Sequence, residues 1–410
     1  MSIRSNFAWT LGGYAVYAAC QWGMLVVLAK LGTAEMVGQF ALGLAITAPL
    51  LMFTNLQLRS VLATDARGEY GFPDYLGLRL CSTLLALAAL PAILAIGGLE
   101  ARTYPVVLLV GVAKAVESVS DVHYGLLQHH ERMRPIAGSL MIKGILSIAA
   151  FAIAVYFTHS LVWAVAGLIA AWALVLVIYD RRQTARYGLV RPGFRFGALK
   201  ELAWRSLPLG IMSMLVSLNA NIPRYFVESR LGPAALGIFA ALLYPLTAGT
   251  FVVTALGQAA LPVMARHFAA GRRIAGAFNH LLLRVSGTGF LLGVAGVALS
   301  VVAGRRLLTL FYRPEYGRHA SVLCWLAVAA AMNYVASFLN AGVTATRHFR
   351  VLIAPYVVQT VLAGGLSSIL VSAGGLMGAA WASCGISAAG CAIPLLILAW
   401  VNKRAEAGAN

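Results

Sequence analysis

Lys114, Glu117 and Asp121 stand at spacings of three and four in "VAKAVESVSDVHYG", residues 112–125, near the end of a long apolar run. Side chains at those spacings share one face of a helix, and Tyr124 and Gln128 continue the same face. An ammonium, two carboxylates, a phenol and an amide in one stripe offer two chemistries. The lysine suits an anion; the carboxylates suit a proton or a metal cation. Holding them in an apolar setting is costly, and charges found there usually face a water-filled path or a bound molecule.

Three more stripes follow the same rule. In "SLPLGIMSMLVSLNANIPRYFVE", Ser206, Gly210, Ser213, Ser217, Asn221, Arg224 and Glu228 succeed one another at steps of three or four. Asn219 lies beside them, and Pro223 lacks an amide donor, so it is expected to disturb the helix and free nearby carbonyls for a ligand. Thr10, Tyr14, Tyr17 and Gln21 make a milder stripe, and Asn333, Ser337, Asn340 and Thr344 a fourth. Lys143 is a lone cation in another apolar run. Lys114, Lys143, Arg224, Asn219, Asn221, Tyr14, Tyr17, Gln21, Asn333 and Asn340 are the candidate substrate-binding residues. Glu117, Asp121 and Glu228 are candidates for ion coupling or for pairing with the cations. A purely structural alternative stays open, because ionisable residues in apolar helices also hold helices together.

The elements that carry these stripes follow from composition. With 60% hydrophobic and 11% charged residues in 410 positions and a mean hydropathy of +0.83, the chain has too little polar surface to coat a water-soluble globule. About twelve apolar stretches are long enough to cross hydrocarbon roughly 30 Å thick. They run near 7–29, 38–59, 75–97, 104–127, 136–157, 160–180, 206–229, 236–260, 279–303, 319–341, 350–372 and 376–400. The fold expected is an all-α polytopic membrane protein. The first stretch is too long for a signal-peptide core and lacks a small-residue cleavage site, so it is expected to remain as an anchor, with the mature chain beginning near Met1.

An even number of spans puts both termini on one side. Twenty-one lysines and arginines fall on that side, among them Arg59, Arg67, Arg79 and the run Arg181–Arg205, against seven opposite. By the positive-inside rule both termini are cytoplasmic. The same spread over short loops argues against nucleic acid as the partner behind the net charge of +18, since a nucleic-acid reader clusters its cations on one face. The five cysteines all fall inside spans, without metal-ligand spacing.

The sequence also repeats. "LGTAEMVGQFALGLAITAPL" from Leu31 and "LGPAALGIFAALLYPLTAGT" from Leu231 each follow the first span of a six-span half. Two parallel repeats result, an N-terminal six-helix lobe at 1–180 and a C-terminal one at 206–410, expected to enclose a central cavity that collects all four stripes. The basic stretch 181–205 is expected as a cytoplasmic inter-lobe linker, its second part a short helix on the membrane interface. At 1.5 Å per residue, Lys143 would lie about 10 Å from the inner end of its span, Lys114 near mid-membrane and Arg224 about 27 Å into its own. Cations so spaced would form a ladder for an anionic cargo.

"QLRSVLATDARGEYGFPDYLGLR" (57–79), "KAVESVSDVHYGLLQHHER" (114–132) and "NANIPRYFVESRLGPAALGIFAAL" (219–242) resemble the polysaccharide transporter family of the multidrug/oligosaccharidyl-lipid/polysaccharide (MOP) exporter superfamily. The resemblance covers essentially the whole chain. It implies a twelve-helix, two-lobed flippase of the bacterial inner membrane, with a MATE-like fold. Such a protein moves a polyprenyl-pyrophosphate-linked oligosaccharide to the outer leaflet by alternating access, for O-antigen, capsule or exopolysaccharide. The implied partners are that lipid-linked oligosaccharide, membrane lipids and the polysaccharide polymerase machinery, with no cofactor and with proton or sodium coupling left open. No short motif fixes Lys114, Lys143 and Arg224 as ligands; that assignment rests on spacing and depth.

Two rivals stand beside it. A multidrug exporter of the same superfamily would typically carry an acidic residue in the first span, which has none here, although Glu117 and Asp121 offer another coupling site. A membrane-embedded glycan enzyme would be expected to carry a large outer loop, and the longest here is the short 304–320. His129, His130 and Glu131 lack the H-E-x-x-H spacing, and no phosphate-binding loop or G-x-S-x-G is present. Loop 65–74, with Asp65, Arg67, Glu69 and Asp74, reads either as a gate element or as a solvated turn.

Overall fold

Apolar runs of this length satisfy their backbone in hydrocarbon by winding into helices, and helices make up the regular structure among the described residues. The computed structural model describes residues 3–65, 68–98, 100–188, 190–269, 275–345 and 353–407. Arg67, Arg272, Arg273, Arg347 and Arg350 of the topology tally, and 350–352 of the eleventh span, lie outside them. In chain order the helices are α1 (Ile3–Leu31), α2 (Ala34–Thr54), α3 (Leu58–Thr64), α4 (Phe72–Ile96), α5 (Tyr104–His129), α6 (Met133–Thr158), α7 (Leu161–Val175), α8 (Arg181–Thr184), α9 (Phe196–Leu231), α10 (Pro233–Ala269), α11 (Ala275–Phe311), α12 (Pro314–Gly317), α13 (Ala320–Ala345) and α14 (Ile353–Ala407). A π-helical turn, Leu176–Asp180, joins α7 to α8.

Each of the twelve expected spans falls on this set. Among the described residues, nine helices are long and apolar enough to cross a membrane. α5 and α9, which carry charged stripes, fall outside that group, and α14 holds two spans within one stretch. Gly375, at φ 56° and ψ −133°, divides it; glycine tolerates that left-handed turn without a Cβ penalty. Local signals set the helix starts. The Thr33 hydroxyl caps α2 by accepting from the Met36 amide at 3.2 Å. At α4, Asp74 accepts from the Gly71 amide at 3.2 Å, and Pro73 sits in the first turn, where its missing donor costs nothing.

The chain divides into two compact units, Met1–Asn221 and Ile222–Asn410. In the first, α1 packs on α6, α6 on α7, α2 and α4 on α5, and α5 on α7; in the second, α11 and α14 pack on α13, and α10 on α11 and α13. The division falls inside α9, beyond the boundary at 205/206 expected from sequence.

Segment 181–205, expected as an inter-lobe linker, packs within the first unit. The Gly193 amide donates to the Pro73 carbonyl at 2.7 Å. Gly77 of α4 lies so close that a Cβ on it would sit 1.8 Å from the Gly193 oxygen. Arg195 forks onto Asp74 at 3.1 and 2.5 Å, and Arg205 pairs with Glu69 at 2.5 Å. No separate interfacial helix forms, because Phe196–Arg205 are simply the first turns of α9. The exposed Phe194, Phe196 and Trp204 beside these cations still suit the membrane interface.

α9 continues through Pro223 without a break, correcting the disturbance expected there. The break comes instead after α2. Leu56 and Gln57 take left-handed φ values of 50° and 52°, a conformation that costs a side-chain-bearing residue about 1–2 kcal/mol. The Leu56 amide turns to Phe53 and the Leu58 amide to Asn55. The Met52 and Thr54 carbonyls thereby lose the donors a continuous helix would supply.

Candidate functional site

The charged stripe of α5 is where side chains from five other helices converge. Lys114 Nζ donates to Glu117 Oε2 at 2.7 Å, and the Tyr17 hydroxyl of α1 donates to Glu117 Oε1 at 2.5 Å. Lys114 also stands 5.5 Å from the ring centre of Trp172 on α7, within cation–π reach. Both charges remain part-exposed, at 28% and 30% of their side-chain surface.

Two turns beyond Lys114 on α5, Asp121 accepts from Arg59 Nη1 of α3 at 3.1 Å. That guanidinium also donates to Tyr14 Oη at 2.9 Å and to Gln128 Oε1 at 3.1 Å. Behind Asp121 lies Arg79 of α4, with Nη2 3.7 Å from Oδ2. Arg79 Nη1 donates to Ser118 Oγ at 3.2 Å and to Asn55 Oδ1 at the break. Arg59 and Asp121 are 22% and 32% exposed, whereas Arg79 is fully enclosed.

Lys143 of α6 has a different setting. Its ammonium lies 3.1 Å from Asp180 Oδ2, both side chains being 1% exposed. It donates to the Tyr124 hydroxyl at 3.0 Å; Tyr124 and Ser139 share a bond of 2.7 Å, and Ser139 donates to Asp180 Oδ1 at 2.5 Å. The π-helical turn aims Asp180 at this group. Taking two ions out of water costs several kcal/mol each, which close pairing and added hydrogen bonds offset. The ladder expected from sequence loses its Lys143 rung here, since that charge is spent inside the helix packing.

The structure therefore gathers Tyr14, Tyr17, Lys114, Glu117 and Asp121, while Lys143 is held in an enclosed pair with Asp180. Gln21 lies on α1 with a buried amide nitrogen. Asn219 and Asn221 are buried on α9, and Asn221 Nδ2 donates to Ser217 O of its own helix at 2.8 Å. In the second unit, Arg224 and Glu228 stand one turn apart on α9, Asn333 donates to Ser387 Oγ at 2.9 Å, and Asn340 lines a small recess with Tyr356 and Gln359.

Sequence reasoning missed Arg59, Arg79, Asp180 and Trp172. The topology tally places both arginines in an inner loop, but one lies in α3 and the other in the third turn of α4. The polar "QLR" before Ser60 and the depth of Arg79 within an apolar run were the available signals.

Outside the spans, the described residues of loop 65–74, Asp65 and 68–74, are tied down by hydrogen bonds. Burial would raise the Asp65 carboxyl, but the Glu69 and Tyr70 amides and the Tyr75 hydroxyl outweigh it and hold that group below the usual carboxylate range. Hydrogen bonding to Glu69, with Glu201 nearby, raises Arg205 above its usual value.

Residues 3–268 match the family described as "Polysaccharide biosynthesis protein". The chain belongs to this polysaccharide biosynthesis family. A curated relative is the capsular polysaccharide biosynthesis protein CapF of Staphylococcus aureus, 29% identical over 351 residues, 84% of this chain and 86% of the relative. Among solved structures, the lipid II flippase MurJ in an inward closed conformation superposes at a TM-score of 0.77, with 12% identity over 94% of this chain and 86% of its own. An inward-facing MATE multidrug transporter of the MOP superfamily superposes at 0.74, with 14% identity over 99% and 96%. The polysaccharide biosynthesis family thus adopts here the all-α fold of MOP transporters and flippases.

Proposed function

We propose that this protein flips a polyprenyl-pyrophosphate-linked oligosaccharide from the inner to the outer leaflet of the bacterial cytoplasmic membrane by alternating access, supplying cell-surface polysaccharide biosynthesis. The part-exposed Lys114 and Arg59, set among phenols and an amide in a chain of the polysaccharide biosynthesis family, carry this reading. A pyrophosphate drawn into hydrocarbon needs compensating cations; arginine offers a two-pronged fork and lysine a point charge. Tyr14 and Tyr17 supply flat faces and hydroxyls suited to sugars, and the isoprenoid tail stays in lipid. Arg224 would take the headgroup in the second unit. In this reading both termini would lie in the cytoplasm, and the lipid-linked product would pass to a polymerase.

A second reading is a multidrug exporter coupled to protons or sodium. The likeness to MATE transporters shares the fold with it, and Glu117 and Asp121 would be its coupling carboxylates. Both acids already hold a neighbouring cation, which a coupling ion would have to displace.

The test is translocation of a polyprenyl-pyrophosphate oligosaccharide in proteoliposomes by the intact chain, Lys114→Ala and Arg224→Ala, with cationic-dye efflux alongside. Glycan movement lost in both variants is the expected result. Dye efflux without glycan movement by the intact chain would transfer the assignment to the exporter.

A further inference from the structure

Arg59, Asp121 and Arg79 form a row of cation, anion and cation. The outer arginine and the carboxylate are part-exposed, while the inner arginine is enclosed. The two halves of the row are unequal. Asp121 Oδ1 makes a hydrogen bond of 3.1 Å with Arg59, but Oδ2 stops 3.7 Å short of Arg79. Among the described residues, Arg79 Nε and Nη2 are buried and make no hydrogen bond. Those two nitrogens form the edge of a guanidinium that receives a carboxylate on both oxygens. Leaving them unmade inside a protein is costly, because a buried donor without an acceptor loses its full desolvation energy.

We propose that Asp121 is an exchangeable counter-ion: an incoming phosphate oxygen takes Arg59, and Asp121 moves back onto the open Nε–Nη2 edge of Arg79. The exchange ends with every charge of the row paired. Before it, Arg59 holds Asp121 and Arg79 waits; after it, Arg59 holds the ligand and Arg79 holds Asp121. Net charge favours an anion, since two arginines share a single carboxylate. The row is also wired to the backbone break. Arg59 lies two residues beyond Gln57, and Arg79 Nη1 grips Asn55, with Ser118 Oγ donating to the same oxygen at 2.6 Å. Rotation of Arg79 to receive Asp121 would act directly on the three residues that separate α2 from α3. Ligand arrival would thereby reach the backbone through one side chain.

This inference rests on the flippase reading, because it names the group that binds the cargo's phosphate. The experiment is titration calorimetry of inorganic pyrophosphate into the full-length protein in detergent, with folding followed by gel filtration and thermal unfolding. Arg59→Gln is expected to weaken binding about 10-fold or more, the loss of a charge-assisted fork. Asp121→Asn removes the competitor for Arg59 and is expected to tighten binding several-fold, while glycan translocation in proteoliposomes falls. A residue that merely holds helices together would not raise affinity when neutralised. Arg79→Lys keeps the charge but not the fork, and is expected to weaken pyrophosphate binding and slow translocation. It serves as the second variant should Asp121→Asn fail to fold. Unchanged or weaker pyrophosphate binding in folded Asp121→Asn, with the intact chain still moving glycan, would overturn the exchange and leave the flippase reading standing. An intact chain that neither binds pyrophosphate nor moves glycan would overturn both.

Discussion

Lys143 and Lys114 stand on adjacent helices, each paired with a carboxylate, yet one pair is 1% exposed and the other close to 30%. The chemistry is the same and the accessibility differs. An anion could reach Lys143 only by parting α5, α6 and the turn that carries Asp180. It could reach Lys114 by displacing one part-exposed carboxylate. The first pair is therefore suited to holding helices together and the second to exchanging partners. Within a span, part-exposure suits a charge to exchange, and enclosure suits it to packing.

The comparison breaks first, if it is wrong, at the sealed pair. Lys143→Ala or Asp180→Ala strands a buried charge and should lower stability by about 3–5 kcal/mol, whereas Lys143→Met with Asp180→Leu should recover most of the loss. Thermal unfolding in detergent measures both. Tyr124→Phe deletes the hydroxyl that Lys143 and Ser139 share and should cost about 1–3 kcal/mol. Lys114→Ala should change stability by only about 0–1 kcal/mol, as for a part-exposed ion pair, while glycan translocation is lost. Equal destabilisation by Lys114→Ala and Lys143→Ala would erase the distinction.

The smallest effect concerns a carboxylate outside both pairs. Asp65 has a folded-state affinity for protons below the unfolded one. Its contribution is complete above the unfolded value, near pH 4, and disappears as pH falls through the lower folded value. Hydrogen exchange at the Glu69 and Tyr70 amides should thus be level from pH 7 to 5, after correction for intrinsic rates, and lose protection in stronger acid. Asp65→Asn should show reduced protection throughout.

Hydropathy made the helices legible, since twelve apolar runs correspond to twelve helical stretches. The α5 stripe was legible too, because steps of three and four survive translation into a helix. What could not be seen was partnership across the bundle. Asp180 reads as the start of the basic run "DRR", and only the wide turn before it brings the acid to Lys143. Arg79 reads as a loop cation because its apolar run begins only a few residues before it. Pro223 reads as a breaker, yet α9 passes through it, while the break at Asn55–Gln57 carries neither glycine nor proline. Its left-handed residues are held by Asn55, Arg79 and Ser118, three residues from three parts of the chain.

The π-helical turn Leu176–Asp180 has an effect that no substitution table would contain. Such a turn holds one residue more than an ordinary α-turn. Inserting one further residue between Leu176 and Tyr179 would exceed what the wide turn absorbs and swing Asp180 by about 100° around the helix axis. Its carboxylate would leave Ser139 and Lys143 although every charged residue remained in the chain. In this protein the neutrality of a buried lysine depends on a count of residues, so a one-residue length change in an apolar stretch would act as the loss of a distant charge.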